Sequence, residues 1–507
     1  MSNLEITTAT ADNTQPDQKK EIQTAQIHDV EVGDVRKPDL YSKVSVYLTM
    51  VFSGLALGSD GYNAAVIGNL DLLLSSLYPE ALTSVMRSRL SNAFLIGMIV
   101  GMLGFGVVVD QLGRKTGAVL TTTILLLGIA LSAGASGLTT TGLMWMLVIA
   151  RGIAGVGAGG EYPVSGAGAL EASDEAGQFR KTRGFMIAMV CDLSAGLGYT
   201  FGALVPLLLL LCVRQKTDHY EVVWRVALAL GAIPPLSIFW FRLRMRTSTA
   251  YRKSALRKQK VPYILIFKKY WRRLLGAALS WFLYNWISIP FGIFSSVIIS
   301  RVNVGNSLVQ NLGWGALINS FYLPGPFIGG YLSDKIGRRK TMALGYGLQA
   351  ILGFVLGGAN EKIQNIFPLF VVLYGIFLTL GEVGPGSTVG IVSTEPFPTS
   401  VRGHTMGFIA AWSKAGAAIG TQVFTAILSS YTDTVKGNQV VFLIGSAFAV
   451  LGALVAWFIV QDGEKHLEKE DQIWKEYLHE HGWDASWGDH VTQDPVRTLK
   501  DELKPTS

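Results

Sequence analysis

Charged residues are scarce in this sequence. Asp, Glu, Lys and Arg make up 16% of the 507 residues, against about 25% in ordinary soluble domains. Most of these charges lie in three segments, 1–43, 242–273 and 462–507. Between them run long uncharged stretches such as 117–135 and 193–213, which are typical of membrane spans. This distribution argues against a soluble enzyme, a nucleic-acid-binding protein and a disordered scaffold.

Cysteine and catalytic motifs are also scarce. The chain has two cysteines, Cys191 and Cys212, and if one helix holds both they lie ~32 Å apart, too far to form a disulfide. Residues 1–43 are polar and lack the apolar core of a cleaved leader. No nucleophile–base pair, metal-ligand spacing or phosphate-binding loop stands out. We therefore expect no enzymatic activity, no cofactor and no metal.

Twelve apolar segments dominate the rest of the chain, and we expect each to form a transmembrane helix. The fold class predicted is an all-α membrane protein with twelve transmembrane helices in two six-helix halves. The segments are 44–68, 91–109, 117–135, 142–166, 184–211, 222–241, 274–298, 309–332, 341–358, 366–390, 404–429 and 438–460.

The loop charges predict the orientation in the membrane. Segment 242–273 has twelve Lys and Arg and no acid, so the positive-inside rule makes it cytoplasmic, and both termini with it. The domains expected are a cytoplasmic tail 1–43, a six-helix half 44–241, a basic linker 242–273, a second half 274–461 and an acidic cytoplasmic tail 462–507. That last tail is interpreted as solvated rather than as a partner surface.

An internal repeat divides the chain into equivalent halves. The pattern G-x-x-x-D-x-x-G-R-[KR] occurs with Asp110 and Arg114, and again with Asp334 and Arg338, 224 residues later. Each copy follows the second span of its half. Such a duplication is common in secondary transporters, whose substrate site lies between the halves near the middle of the membrane.

The doubled motif resembles the signature of the major facilitator superfamily. Segment 151–163, RGIAGVGAGGEYP, is similar to the fourth-helix motif of its phosphate:proton symporter branch. Segments 269–276, 281–285 and 292–300 (KYWRRLLG, WFLYN and GIFSSVIIS) are closer to the fungal glycerophosphodiester permeases. The resemblance covers about residues 40–485.

The resemblance implies the major facilitator fold and uptake across the plasma membrane. Its expected partners are a small-molecule organophosphate (glycerophosphoinositol or glycerophosphocholine), protons and the lipid bilayer, and we expect a functional monomer. An inorganic phosphate:proton symporter and a non-transporting nutrient receptor are the alternatives.

Acidic residues inside the spans are hypotheses for proton coupling, because an ionisable group costs a few kcal/mol there. The resemblance implies a proton role for Asp60 and Glu161, and Asp192 lies deep in the fifth span. The alternatives are a hydrogen-bonded anchor for Asp60, a charge partner such as Arg183 for Glu161, and an ion pair with Lys414 for Asp192.

Two cations lie in the middle of spans, and a phosphodiester anion needs one. Lys414, in a motif similar to the G-K-x-G of the family, is the candidate, with a salt bridge to Asp192 or Glu382 as the alternative. Arg151 is interpreted as the partner of a neighbouring acid rather than as a proton carrier. The resemblance also places Tyr162 against the phosphate.

Three departures from the phosphate branch suggest a pocket altered for a larger substrate. Ser194 stands where phosphate symporters commonly have a substrate-binding Gln. Asn285 replaces an Asp and cannot titrate, although it can bind phosphate. Glu382, shortly before Gly-Pro-Gly, stands near where phosphate transporters tend to have an Asn. It would pair with Lys414 or with a cationic choline head, and the second pairing favours glycerophosphocholine.

Aromatic residues offer a second way to bind a choline head, by cation–π contact. The family motif places Trp281 and Tyr284 by the cavity. For Trp286 and Trp412, helix packing is the more usual role. The residues Asp110, Arg114, Asp334 and Arg338 are predicted to gate the transporter, through contacts that break as the halves rock, and not to bind substrate.

Overall fold

The computed structural model describes residues 40–112, 114–166, 180–244, 261–302, 305, 307–462 and 467–483. Within these ranges the protein is helical and has no strand, as the apolar segments predict. In the first half the long helices are α1 (Leu40–Leu77), α2 (Ser84–Leu112), α3 (Arg114–Ala133), α4 (Thr140–Glu161), α5 (Arg183–Cys212) and α6, in two pieces (Tyr220–Leu230 and Ile233–Arg244). Cys191 and Cys212, both in α5, are free.

The second half repeats this order. Its helices are α7 (Tyr263–Ile293, continued by Ser295–Val302), α8 in two pieces (Leu308–Ser320 and Pro324–Ile336), α9 (Arg338–Gly358), α10 (Phe367–Val392), α11 (Arg402–Ser430) and α12 (Thr434–Phe458). Nine of the helices in the described ranges are long and apolar enough to cross a membrane. The other three are α1 and α11, which carry buried polar residues, and α8, which is split. Together they make the twelve segments expected.

Three π-helical turns occur, two inside these helices and one directly after a helix. The turns are Tyr162–Gly166 directly after α4, Ala188–Leu193 inside α5 and Glu382–Gly386 inside α10. In α10 the Gly-Pro-Gly sequence widens the helix instead of ending it. The hydroxyls of Ser387 and Thr388 donate to Val383 O (3.0 Å) and Gly384 O (2.7 Å) in this turn. Such turns are frequent at functional sites.

The halves touch near both ends of the helices. At the end of α2 and the start of α11, a Cβ on Gly407 would lie 2.9 Å from Gly106 Cα, so the two backbones are in direct contact, as small residues allow in membranes. At the opposite end, Ser296 donates to Asn69 Oδ1 of α1 (2.7 Å). Residues in the middle of the bundle are therefore enclosed from both ends.

A buried ion pair holds α3, α4 and α6 together. Arg242 and Glu161 are 4% and 1% exposed, and two guanidinium nitrogens contact the two carboxylate oxygens at 2.5 and 2.6 Å. Thr121 of α3 donates to the same carboxylate (2.8 Å). Arg242, expected in the basic linker, thus lies inside α6, and the last part of that linker is the start of α7, which begins at Tyr263.

The acidic tail differs from the solvated segment expected. A helix α13 (Leu467–Glu480) packs against α7, with the Trp474 side chain buried. The buried Glu470 accepts a hydrogen bond from Tyr270 (2.8 Å) and pairs with Arg273 (3.0 Å). The tail's acids thus neutralise basic residues at the start of α7, which explains why this part of it is ordered against the protein.

The ion pair gives a first prediction. We expect Arg242→Gln to lower the free energy of unfolding by about 3–5 kcal/mol, because it leaves Glu161 as an unpaired buried charge. Thermal unfolding of the purified protein in detergent measures this. The control is Lys436→Gln, which removes an exposed pair with Asp433 (3.8 Å) and should cost at most about 1 kcal/mol. Equal stability of the two variants would contradict a structural role for the pair.

Candidate functional site

Side chains from six helices meet in the enclosed middle of the bundle. All are largely buried, and the sequence had singled out each of them. They are Asp60 (α1), Tyr162 (the turn after α4), Asp192 (α5), Trp281, Tyr284 and Asn285 (α7), Glu382 (α10) and Lys414 (α11).

Lys414 is a buried cation beside aromatic rings. It is 5% exposed, and its Nζ lies 5.2 Å from the centre of the Tyr162 ring, which is 6.0 Å from the Trp281 ring. In the described ranges no carboxylate lies within 4.0 Å of Lys414, so the salt bridges considered with Asp192 and Glu382 are not formed. A buried cation without an ionic partner is a candidate site for an anion.

Asn285 belongs to the same region. Its amide nitrogen donates to the hydroxyl of Ser413 (3.1 Å), the residue before Lys414. Lys414, Tyr162, Trp281 and Asn285 thus come to this region from three parts of the chain. We refer to these four residues as the phosphate region.

Asp60 lies near this region and is buried without a hydrogen bond. It is 1% exposed, and neither carboxyl oxygen has a partner in the described part of the chain. The charges that act on it are those of Glu161, Lys414 and Arg242. Asp60 is therefore not the hydrogen-bonded anchor considered above. Tyr62 fills that role, donating to Ala227 O of α6 (2.6 Å).

Asp192 and Glu382 form a second polar group. The Tyr284 hydroxyl lies 2.6 Å from each Glu382 carboxyl oxygen. Both carboxyl groups also lie against Gly386. A Cβ atom added to this glycine would collide with Glu382 and would lie 3.0 Å from both Asp192 Oδ1 and the Tyr284 hydroxyl. The two carboxyl groups are thus neighbours, and within the described residues neither is paired with Lys or Arg.

Three residues of interest lie elsewhere. Glu161 has Arg242 as its charge partner, whereas Arg183 pairs with Glu395 (3.0 Å). Arg151 pairs with no acid in the described ranges, and its guanidinium donates instead to the backbone carbonyl of Asn63 (3.0 Å).

Ser194 lies outside the phosphate region. The Ser194 hydroxyl packs closely against Gly54 of α1, since a Cβ atom added to Gly54 would lie only 2.6 Å from it. The physical reason is helical geometry, since residues two positions apart, such as Asp192 and Ser194, point to different sides of a helix.

Two tryptophans considered for cation–π binding pack between helices. Trp286 stacks on Phe448, with ring centres 3.8 Å apart. Trp412 is 47% exposed on the outside of the bundle and contacts Phe282. Neither lies against the carboxyl pair.

Two tyrosines that the sequence analysis missed lie at the site instead. Tyr199 of α5 and Tyr322, in the break of α8, are buried with ring centres 5.5 Å apart. Both lie within electrostatic range of Glu382. The one available signal was a polar hydroxyl in an otherwise apolar, Gly-rich stretch.

The second copy of the repeated motif joins the two halves. Asp334 accepts hydrogen bonds from the backbone N–H groups of Gly184 and Phe185 at the start of α5 (2.9 Å each). Arg338 pairs with Asp334 (3.2 Å) and with Glu395 (3.3 Å). The expected contact across helices is therefore present, and its breaking during transport stays a prediction. The side chains of Asp110 and Arg114 lie outside the described residues.

Known proteins share this fold and much of this sequence. The pattern of the Major Facilitator Superfamily matches residues 304–488, and that of the Sugar (and other) transporter family matches residues 46–262. Among solved structures, the proton:xylose symporter XylE superposes with a TM-score of 0.70 and 19% identity, over 86% of this chain and 100% of that chain.

Three curated relatives are much closer in sequence. The chain is 37% identical to glycerophosphoinositol permease 1 of Candida albicans, over 88% of this chain and 84% of the relative. It is 35% identical to glycerophosphoinositol transporter 1 of Saccharomyces cerevisiae (91% and 88%) and to a glycerophosphocholine permease of Candida albicans (85% and 82%). The chain is therefore a membrane transporter rather than an enzyme, and it belongs to the fungal glycerophosphodiester permease family of the major facilitator superfamily.

Proposed function

We propose that this protein imports glycerophosphodiesters across the plasma membrane by proton symport, as a functional monomer. The observation that carries the proposal is Lys414, a buried cation with no carboxylate within 4.0 Å in the described ranges and with Tyr162 beside it. The relatives named as glycerophosphoinositol and glycerophosphocholine permeases support the substrate class.

The phosphate region binds the charged centre of the substrate. A phosphodiester carries one negative charge, which the Lys414 ammonium neutralises by a charge-assisted hydrogen bond. The Tyr162 hydroxyl and the Asn285 amide donate to the remaining phosphate oxygens. Trp281, against the Tyr162 ring, closes this end of the site to water.

Asp60 carries the coupled proton in this mechanism. Ionised Asp60 attracts Lys414 and repels the phosphodiester, so protonation of Asp60 releases the ammonium to the substrate. The proton also offsets the membrane potential, which opposes entry of a monoanion by about 2.3 kcal/mol per 100 mV. Glu161 is already neutralised by Arg242, which leaves it a positioning role.

Transport then follows alternating access. Substrate enters between the halves from outside, and the halves rock around the enclosed site. The contacts of Asp334 and Arg338 with the start of α5 and with Glu395 are broken when the site opens toward the cytoplasm. The buried Arg183–Glu395 ion pair, which also joins the two halves, has to open in the same step.

Substrate and energy source are tested together. We expect cells lacking their own carriers to take up labelled glycerophosphodiester when they express the protein, and a protonophore to block that uptake. Glycerophosphocholine, glycerophosphoinositol and phosphate are compared at equal concentration. Uptake of phosphate alone would make the protein a phosphate symporter, and absence of any uptake, with the protein at the cell surface, would favour a receptor.

Lys414 provides the test of the phosphate region. We expect Lys414→Ala to abolish glycerophosphodiester uptake while the protein still reaches the surface, because no other described cation replaces the ammonium. Lys362→Ala, at an exposed position after α9, is the matched control and should transport normally. Uptake by Lys414→Ala at the control's rate would remove Lys414 from substrate binding.

Asp60 provides the test of coupling. We expect Asp60→Asn to bind glycerophosphodiester at least as tightly as the wild type, because the amide imitates the protonated acid. Its uptake should no longer respond to an imposed pH gradient. Uptake and binding are measured on the same preparations at two external pH values. A variant that still accumulates substrate in response to the gradient would place the coupled proton elsewhere.

A further inference from the structure

The carboxyl pair of Asp192 and Glu382 has no role in binding the phosphate. Both residues are buried, 8% and 2% exposed, and Asp192 Oδ2 has no hydrogen-bond partner in the described part of the chain. Two neighbouring carboxyl groups repel an anion and repel each other when both are ionised. A cation bound beside the pair would relieve this repulsion.

Three tyrosines lie near this pair, one in contact with Glu382 and two within electrostatic range of it. Tyr284 is fixed by its hydrogen bond to Glu382, and Tyr322 by donation to Ser288 O (2.8 Å). Tyr199 lies against the Tyr322 ring, and its hydroxyl makes no hydrogen bond within the described ranges. The Tyr199 side chain is therefore held by packing of its ring, not by its polar end.

This combination is suited to a quaternary ammonium ion. Such an ion donates no conventional hydrogen bond, so it is bound by aromatic faces and by carboxylate charge. An inositol ring would instead need donors as well as acceptors for its hydroxyl groups. Two of the three tyrosine hydroxyls are already committed to Glu382 and Ser288.

We infer that Tyr199, Tyr284, Tyr322, Asp192 and Glu382 form a head-group pocket for a quaternary ammonium, so that the preferred substrate is a zwitterion, glycerophosphocholine. The inference rests on the proposed function and extends it from the phosphate to the head group. Tyr162 of the phosphate region lies within electrostatic range of Tyr199 and Asp192, so the head-group pocket and the phosphate region adjoin. The substrate would lie with its cationic end at the carboxyl pair and its phosphate at Lys414.

The chemistry of the head group is tested first by binding to the purified full-length protein. Glycerophosphocholine should raise the unfolding temperature at concentrations about tenfold below those needed for glycerophosphoinositol, since a desolvated cation–π contact contributes about that factor or more. Equal or tighter binding of glycerophosphoinositol would overturn the inference.

Two substitutions of Tyr199 separate the ring from its hydroxyl. Tyr199→Leu removes the aromatic face and should weaken glycerophosphocholine binding about tenfold, whereas Tyr199→Phe keeps the ring and should lose much less binding than Tyr199→Leu. A loss in Tyr199→Phe equal to that in Tyr199→Leu would indicate a hydrogen bond to the head group and overturn the inference.

Glu382→Gln tests the charge at the same pocket. It should reduce uptake of glycerophosphocholine more than uptake of glycerophosphoinositol, and equal losses for the two would contradict the pairing of Glu382 with a cation.

The proposed transport and the proposed pocket can fail separately. Binding of glycerophosphocholine without uptake would contradict transport but would leave the head-group pocket supported. Uptake of glycerophosphoinositol alone would refute the pocket but retain transport.

Discussion

A charge buried among membrane-spanning helices must be neutralised by a neighbour or by a ligand, and the helices of this protein are organised around that requirement. At Glu161 and Arg242 the requirement is met within the protein, by a two-point ion pair that joins three helices. At Asp60 and Lys414, and again at the Asp192–Glu382 pair, the described residues leave it incompletely met. The first pair stabilises the fold, and the others are the groups that we propose a substrate binds.

Each half is tied internally by an equivalent contact. In the first half Arg151 of α4 donates to the carbonyl of Asn63 in α1 (3.0 Å), and in the second Tyr374 of α10 donates to the carbonyl of Phe291 in α7 (2.6 Å). The fourth helix of each half is thus fixed to its first helix by a buried side chain. Between the halves the contacts include glycine backbones, the hydrogen bonds of Asp334 to the start of α5 and the buried Arg183–Glu395 ion pair.

The helices were predictable from the sequence, whereas the pairing of charges was not. Long apolar segments determine the spans. Motif resemblance singled out Lys414, Tyr162 and Trp281, whose side chains lie next to one another, and their binding of phosphate stays a prediction. The partner of Glu161 lies 81 positions away, in a helix whose packing no local pattern encodes. Ser194 was misplaced because a π-helical turn and helical rotation decide which side of α5 it faces. Tyr199 and Tyr322 carried no motif, since a lone tyrosine in an apolar span usually only packs.

The three π-helical turns have a consequence for how such a transporter changes its specificity. A π turn is equivalent to inserting one residue into an α-helix, which rotates everything beyond it by roughly 100°. The turns in α5 and α10 carry Asp192 and Glu382, whereas α11, with Lys414, is a continuous α-helix. Gain or loss of a single residue would therefore exchange the side chains of the head-group pocket and leave the cation for the phosphate in place. Relatives with different head groups can thus differ in helical register as well as in residue identity, and an alignment without gaps in these helices would conceal it.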